Sequence, residues 1–492
     1  MAGTLLIVVD DPQTWPLQID GVELVSARQY LTDPHYLNLR RVKLFNLCRS
    51  YRYQSLGYYV SLLARARGHR ALPGIGALQD LKSPYLIRFI SDELDELIEK
   101  NFKSLRSDAF VLSIYFGYNL AKCHTQLSQR LFKMFQLPFM QASFSCNGKS
   151  GKWQLQNIQA LAASDIPEEH REFAVAKAQE YFAGTRTRQM PRAAARYDLA
   201  ILVNPEEQHA PSNARALKHF LRAAESVGFA AELIGREDFG RLPQFDALFL
   251  RETTQVNHHT YRFARRAEAE GLVVIDDPDS ILKCTNKVFL AELLQRHKIA
   301  TPKSLVVHRG NLEQVLAAVG LPCILKQPDS SFSQGVVKVD TEQDYRQEIG
   351  RLLQKSDLVI AQEFIPTDFD WRIGIFDRKL LYACKYHMAR KHWQILKREE
   401  NGRQIEGGAE TFAVEDVPLA VCSTALKAAN LIGNGLYGVD LKQVGQKIYV
   451  IEVNDNPSID AGVEDRVLKG NPYLEVMQLL MERVERKKGR SK

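Results

Sequence analysis

The segment that most restricts the fold lies between residues 438 and 458. Gly-Val-Asp-Leu (438–441) and Val-Ile-Glu-Val-Asn-Asp-Asn-Pro-Ser (450–458) are apolar runs interrupted by acids, and Val444-Gly445-Gln446-Lys447-Ile448 between them reads as a three-residue hairpin loop. Gln446 lies midway between Asp440 and Glu452, so the spacing predicts that these two carboxylates face each other directly, with Asn454 on the same face. Like charges opposed at about 5 Å between Cβ atoms destabilise a sheet unless something bridges them. A divalent cation does so. Three hard oxygen donors on one sheet face, with room for water and phosphate oxygens, suit Mg2+ in a nucleotide site better than Ca2+ or Zn2+. The competing reading is a pair of solvated acids on an outer face, but Asn456-Pro457 ends the strand right at the proposed site.

At roughly 150 residues per domain, 492 residues hold about three domains. With 45% hydrophobic and 25% charged residues the chain is neither disordered nor fibrous. Its longest apolar stretches, such as Leu5 to Val9 and Val111 to Phe116, fall far short of the ~20 residues that cross a bilayer. The opening Met-Ala-Gly-Thr has no basic n-region and no small-residue cleavage site after it, and the seven scattered cysteines contain no C-x-x-C pair. We therefore expect a cytoplasmic protein with free thiols and no membrane partner. Residues 1–200 carry 25 Lys+Arg against 18 Asp+Glu, and the remainder 40 against 40. The whole +7 excess is thus N-terminal, a bias too modest to identify a nucleic-acid partner.

Short apolar runs at Leu5 to Val9, Val42 to Leu47 and Phe110 to Tyr115, with amphipathic patterns at Ser55 to Arg67 and Leu86 to Lys100, predict an N-terminal α/β domain. Gly184 to Arg196 is basic, poor in apolar residues and broken by Pro191, as an exposed linker would be. From Tyr197 strands and helices alternate again to Ile275, predicting a small doubly wound unit. Beyond Ile281 a helix (Asn286 to His297) leads into antiparallel-type strands, and a helix from Tyr473 fades into a Lys/Arg-rich tail.

Two further segments carry chemistry. Ile324-Leu325-Lys326 and Val336 to Val339 flank a nine-residue polar loop, Gln327 to Gly335, in which Ser331, Ser333, Gln334 and Gly335 offer N–H and hydroxyl donors to phosphate oxygens. Lys326 would end a buried strand with its ammonium toward those phosphates, and Lys287, at a helix start, would reach them from another side. The loop fits neither common glycine-rich phosphate motif, so taken alone an exposed hairpin explains it as well. The other segment is Leu358 to Ile365, an apolar strand with a Gln362-Glu363 pair, closed by Pro366. A strand edge of this kind presents backbone donors and acceptors to an adenine, though an ordinary edge strand reads the same way.

Taken together, the order and spacing of these segments resemble the ATP-grasp fold, and most closely the RimK-like glutamate ligases, over about residues 197 to 480. The resemblance implies that Lys326 precedes the phosphate loop, that Gln362 to Ile365 form the adenine hinge with Glu363 and Phe364 in backbone contact, and that Asp370-Trp371-Arg372 is the D-x-R motif. It makes Asp440, Glu452 and Asn454 the magnesium ligands, Lys287 the helix-start lysine, and Asp370 a nucleotide contact. The N-terminal part resembles the extra domain of the RimK-like ATP-grasp N-terminal type, chiefly at Tyr53-Gln54-Ser55-Leu56-Gly57-Tyr58-Tyr59. The expected architecture is α/β and α+β: an N-terminal α/β domain with its linker (1–190), a small doubly wound domain (191–280), two ATP-grasp lobes (281–365 and 366–485) and a basic tail (486–492). Where RimK-type enzymes place Arg-Ser-Asn before a short run to Gly-Gly, this chain has Trp393-Gln394-Ile395 and a longer charged stretch to Gly407-Gly408.

The implied chemistry is ligation: a substrate carboxylate attacks the γ-phosphate of ATP, and an amine displaces phosphate from the acylphosphate. The cofactors expected are ATP and Mg2+, with Mn2+ as a substitute metal. Catalytic roles fall to Arg372, a fork-shaped permanent cation suited to a carboxylate or acylphosphate, and to Lys326. The partners expected are a carboxylate and an amine, from an amino acid, a peptide or a protein tail, and family members commonly self-associate. Ser330 to Gly335 and Lys391 to Gly408 are candidate lids, with His387, Lys391, His392 and Trp393 near the second. His258-His259 and Asp276-Asp277 lack ordered metal-ligand spacing and read as structural. The alternatives are a phosphotransferase of the same fold, or a non-catalytic nucleotide- or nucleic-acid-binding protein.

Overall fold

The computed structural model describes residues 4–17, 22–39, 42–81, 87–88, 90–91, 94–103, 105, 107–148, 151–189, 195–329, 335–389, 393–398, 404–467 and 471–489. Met1–Ala194 with Glu237–Gln244 form one compact unit, and Ala195–Arg236 with Phe245–Lys492 form the other.

In the first unit, parallel strands stand in the order Glu23–Ser26, Leu5–Val9, Lys43–Asn46, Arg70–Leu72. Every residue of Leu5–Val9 is buried, as an apolar strand covered on both faces requires. Leu6 and Val8 join Leu44 and Tyr30 in one core, whereas Leu5, Ile7 and Val9 join Phe45, Ile114 and Phe135 in another, the period-two alternation of a strand. An antiparallel meander of Ala109–Tyr115, Phe139–Cys146 and Trp153–Ala160 completes the unit. The sequence reading misses its last two strands, although Gln and Ser alternate there with buried Met140, Ala142, Phe144, Trp153 and Leu155. Helix Glu168–Gln189 extends into the basic stretch that reads as a linker.

The second unit opens with a parallel sheet ordered Val273–Ile275, Ala247–Leu250, Tyr197–Leu202, Phe229–Ile234. Helix Ala214–Val227 covers it, capped by the Asn213 side chain and ended by Gly228 at φ +101°. Next comes an antiparallel sheet of Ser304–Val307, Val359–Glu363, Cys323–Lys326 and Val336–Val339. Helices Leu312–Val319 and Glu342–Leu352 pack on it; neither is expected from the sequence reading. The last sheet has five strands: Ala409–Phe412, Lys379–His387, Phe369–Phe376, Leu436–Val444 and Lys447–Asp455. The mixed α/β architecture matches the expected fold class. All seven cysteines are free. Among the described residues, no helix is long and apolar enough to cross a membrane.

The hairpin that dominates the sequence differs from expectation in one respect. Val444 pairs with Lys447, so its loop has two residues, Gly445 and Gln446, with Gly445 at φ +58°. That turn alone would put Glu452 out of register with Asp440. A β-bulge inserts Ile451 between the pairs Leu441↔Val450 and Asp440↔Glu452, and the extra residue restores the facing carboxylates.

Candidate active site

Lys326 ends the buried strand Cys323–Lys326, in which Cys323 and Leu325 enter the core and Ile324 and Lys326 face a cavity of about 360 Å³. Lys287 is the first residue of helix Lys287–Arg296, held there because the Asn286 side chain accepts the N–H groups of Val288 and Phe289. The same cavity is lined by Gln362, Glu363, Phe364, Ile365, Asp370, Arg372, Asp440, Glu452 and Asn454. Of the remaining expected site residues, Gly335 lies at the base of its loop, where its carbonyl accepts the Gln327 N–H at 2.9 Å. Ser331, Ser333 and Gln334 fall outside the described residues, as do Lys391 and His392.

Asp370, Asp440 and Glu452 in the cavity each meet a cation. Arg372 is the register partner of Asp440 and grips both its oxygens, Nε to Oδ1 at 2.6 Å and Nη2 to Oδ2 at 2.7 Å. Asn454 Nδ2 donates to Asp440 Oδ2 at 3.1 Å. Lys287 Nζ lies 2.9 Å from Glu452 Oε1. Lys442 Nζ lies 2.6 Å from both Asp370 Oδ1 and the Thr367 hydroxyl. The opposed acids are therefore already neutralised by protein cations, which corrects the expectation that a divalent cation must bridge them.

Burial and these charges set the protonation states. Burial lowers the Lys326 ammonium to about 8, although Glu452 pulls it the other way. For Glu452, burial alone would raise the carboxyl, but Lys287 and Lys326 outweigh it and hold the group below its ordinary value. Burial raises Asp370 despite Lys442. Arg372 is held charged by Asp440 against its own burial.

At the hinge, the Glu363 N–H already donates to the Lys303 carbonyl at 2.8 Å, so that amide is committed within the sheet. Gln362 Nε2 donates to Ser304 Oγ at 3.0 Å. Trp393, Gln394 and Ile395 also line the cavity, with the Trp393 ring edge-on to Phe364 at 6.1 Å. Past them, Leu396–Arg398 and Gln404–Glu406 pair as a ribbon. His387 sits 3.4 Å from Glu410.

The sequence reading misses several residues here. Lys442 was detectable, since it lies two positions after Asp440 and so on the same strand face. The wall formed by Thr253, Thr254, Gln255, Val256 and Asn257, and the buried Asp455 with Thr254 Oγ1 donating to it at 2.6 Å, carried no signal. Asp276 and Asp277 prove structural: Asp276 accepts the N–H groups of Leu436 and Asn456 at 2.7 and 2.6 Å, and Asp277 caps helix Pro278–Thr285.

A solved D-alanine–D-alanine ligase from Bacillus anthracis superposes with a TM-score of 0.46 at 15% identity, over 61% of this chain and 100% of that one. Among curated proteins, a probable alpha-L-glutamate ligase from Vibrio vulnificus (strain YJ016) is 27% identical over 232 residues, 46% of this chain and 74% of that protein. A probable alpha-L-glutamate ligase 1 from Pseudoalteromonas atlantica is 25% identical over 51% of this chain and 79% of its own length. Residues 27–177 match the RimK-like ATPgrasp N-terminal domain, and residues 284–459 match the ATP-grasp domain. With both domain families matched in order, the chain combines a RimK-like ATP-grasp N-terminal domain with an ATP-grasp domain and is similar to ATP-grasp ligases that form carbon–nitrogen bonds.

Proposed function

We propose that this enzyme joins a carboxylate to an amine through an acylphosphate, with glutamate or a similar amino acid as one substrate. The observation that carries the reading is the convergence of Lys287, Lys326, Arg372, Asp440, Glu452 and Asn454 on one cavity. Catalysis of this kind is positioning plus charge neutralisation around a moving phosphoryl group. Lys287 and Lys326 bind the ATP phosphates, and the hinge Gln362 to Ile365 takes the adenine. Arg372 holds the carboxylate and then the acylphosphate.

Asp440, Glu452 and Asn454 are hard oxygen donors on neighbouring strands, a set that fits Mg2+ and would also accept Mn2+. Bound there, the ion would neutralise phosphate oxygens and take over the charges of Asp440 and Glu452, leaving Lys287 for the nucleotide phosphates and Arg372 for the substrate carboxylate. The name of the Vibrio vulnificus relative supports glutamate. The acceptor is a small molecule, a peptide or a protein tail.

The test supplies the full chain with ATP, Mg2+ and glutamate, and replaces the amine by hydroxylamine. A ligase passing through an acylphosphate yields a hydroxamate together with ADP. ADP release without hydroxamate, for glutamate and every other carboxylate supplied, would mean phosphotransfer or hydrolysis instead.

A further inference from the structure

The wall Thr253–Asn257 is bracketed by side chains that the reaction above does not use. Glu252, just past strand Ala247–Leu250, is 2% exposed. His258 is the N-cap residue of helix His259–Ala269, and His259 its first residue. His259 Nε2 lies 2.9 Å from the Glu252 carboxylate, and the two imidazole centroids are 4.0 Å apart. One ligand atom from each of Glu252, His258 and His259 lies within 4.8 Å of the other two. Adjacent histidines at a helix start have no periodic ligand spacing; the fold makes the cluster by bringing Glu252 to them.

We propose that Glu252, His258 and His259 bind a borderline divalent transition ion of the Zn2+ class, separate from the Mg2+ ligands Asp440, Glu452 and Asn454. Two imidazoles and one carboxylate, with water in a fourth position, are a familiar donor set for such an ion, whereas Mg2+ requires oxygen ligands throughout. The ion would take the place of the proton between His259 and Glu252. Glu252 is the attractive charge at His258, while Arg236 and Arg262 act on it with the opposite sign. Those arginines repel a cation, so coordination bonds rather than the local field must hold the metal. Bound there, it joins the end of a strand to the start of a helix and pins the cavity wall between them.

The test titrates the full chain, without ATP and in excess Mg2+, with Co2+ as the optical stand-in for Zn2+. We expect about one equivalent to give the intense visible bands of four-coordinate Co2+, and Zn2+ to abolish them. His258→Gln, at a half-buried position, should weaken that binding about 10-fold or more while leaving the metal-free melting temperature unchanged. Glu452→Gln should keep the bands. The proposal fails if Co2+ produces no such bands, if H258Q titrates like the parent, or if the bands vanish in E452Q and persist in H258Q.

Discussion

Arg372 and Asp440 are direct register partners on adjacent strands, joined by two parallel hydrogen bonds at 2.6 and 2.7 Å. A bidentate fork cannot be copied by an ammonium. Arg372→Lys should therefore lower kcat by about 10²–10³-fold while the KM for ATP moves little, because the fork is assigned to the reacting carboxylate rather than to the nucleotide. Steady-state ADP release checks this. Retained kcat with a much higher KM for ATP would move Arg372 into the nucleotide site.

Glu452 pairs with Lys287, faces Asp440 across the hairpin and is one of the proposed metal donors. Glu452→Gln keeps the shape but removes the charge, so turnover should fall to background, with the Mg2+ dependence displaced upward by about tenfold or more where residual activity remains measurable. Unchanged turnover at low Mg2+ would contradict the ligand assignment.

The pH dependence follows from Lys326. In the ligand-free protein burial holds its ammonium near 8, so the group is charged below that pH and neutral above it. Mg-ATP affinity, measured by calorimetry, should be flat below about pH 8 and then fall by up to about tenfold per pH unit until the value in the complex is reached. Between about 8 and the ordinary lysine range the unfolded chain binds more protons than the native one. This group's contribution to stability therefore rises with pH across that window. A nucleotide affinity independent of pH to about 10 would exclude Lys326 from phosphate binding.

Gly438 pairs with Asn454, and a Cβ there would stand 2.7 Å from Pro457 Cβ and 3.6 Å from Arg372 Cδ. A proline Cβ is tied to its own backbone rather than being the far end of a flexible side chain, so the turn itself must shift. Gly438→Ala should cost about 1–3 kcal/mol by overpacking, read by urea denaturation, and disturb Arg372. A variant of unchanged stability would show that the Pro457 turn is free to shift.

Much of the site was legible because it is local. Asp440, Glu452 and Asn454 belong to one hairpin, Lys326 ends the strand before its own loop, and period-two alternation assigns their faces. Even there the register came out right for the wrong reason: a two-residue turn and the extra residue Ile451 together reproduce what a three-residue turn would have given. A bulge is set by how the sheet twists, and no residue type announces it.

The linear order of residues by itself determined the strands of the ATP-grasp hairpins, which acids share a sheet face, and that the chain carries an ATP-grasp domain behind an extra N-terminal one. Only the tertiary structure decided which cations neutralise those acids, since Arg372 is separated from Asp440 by 68 residues and Lys287 from Glu452 by far more. It also decided that Glu252 meets His258 and His259, and that Thr253–Asn257 wall the cavity. The physical reason is range: periodicity and turn chemistry act over a few residues, whereas charge pairing in a buried cavity depends on where distant strands and helices are packed.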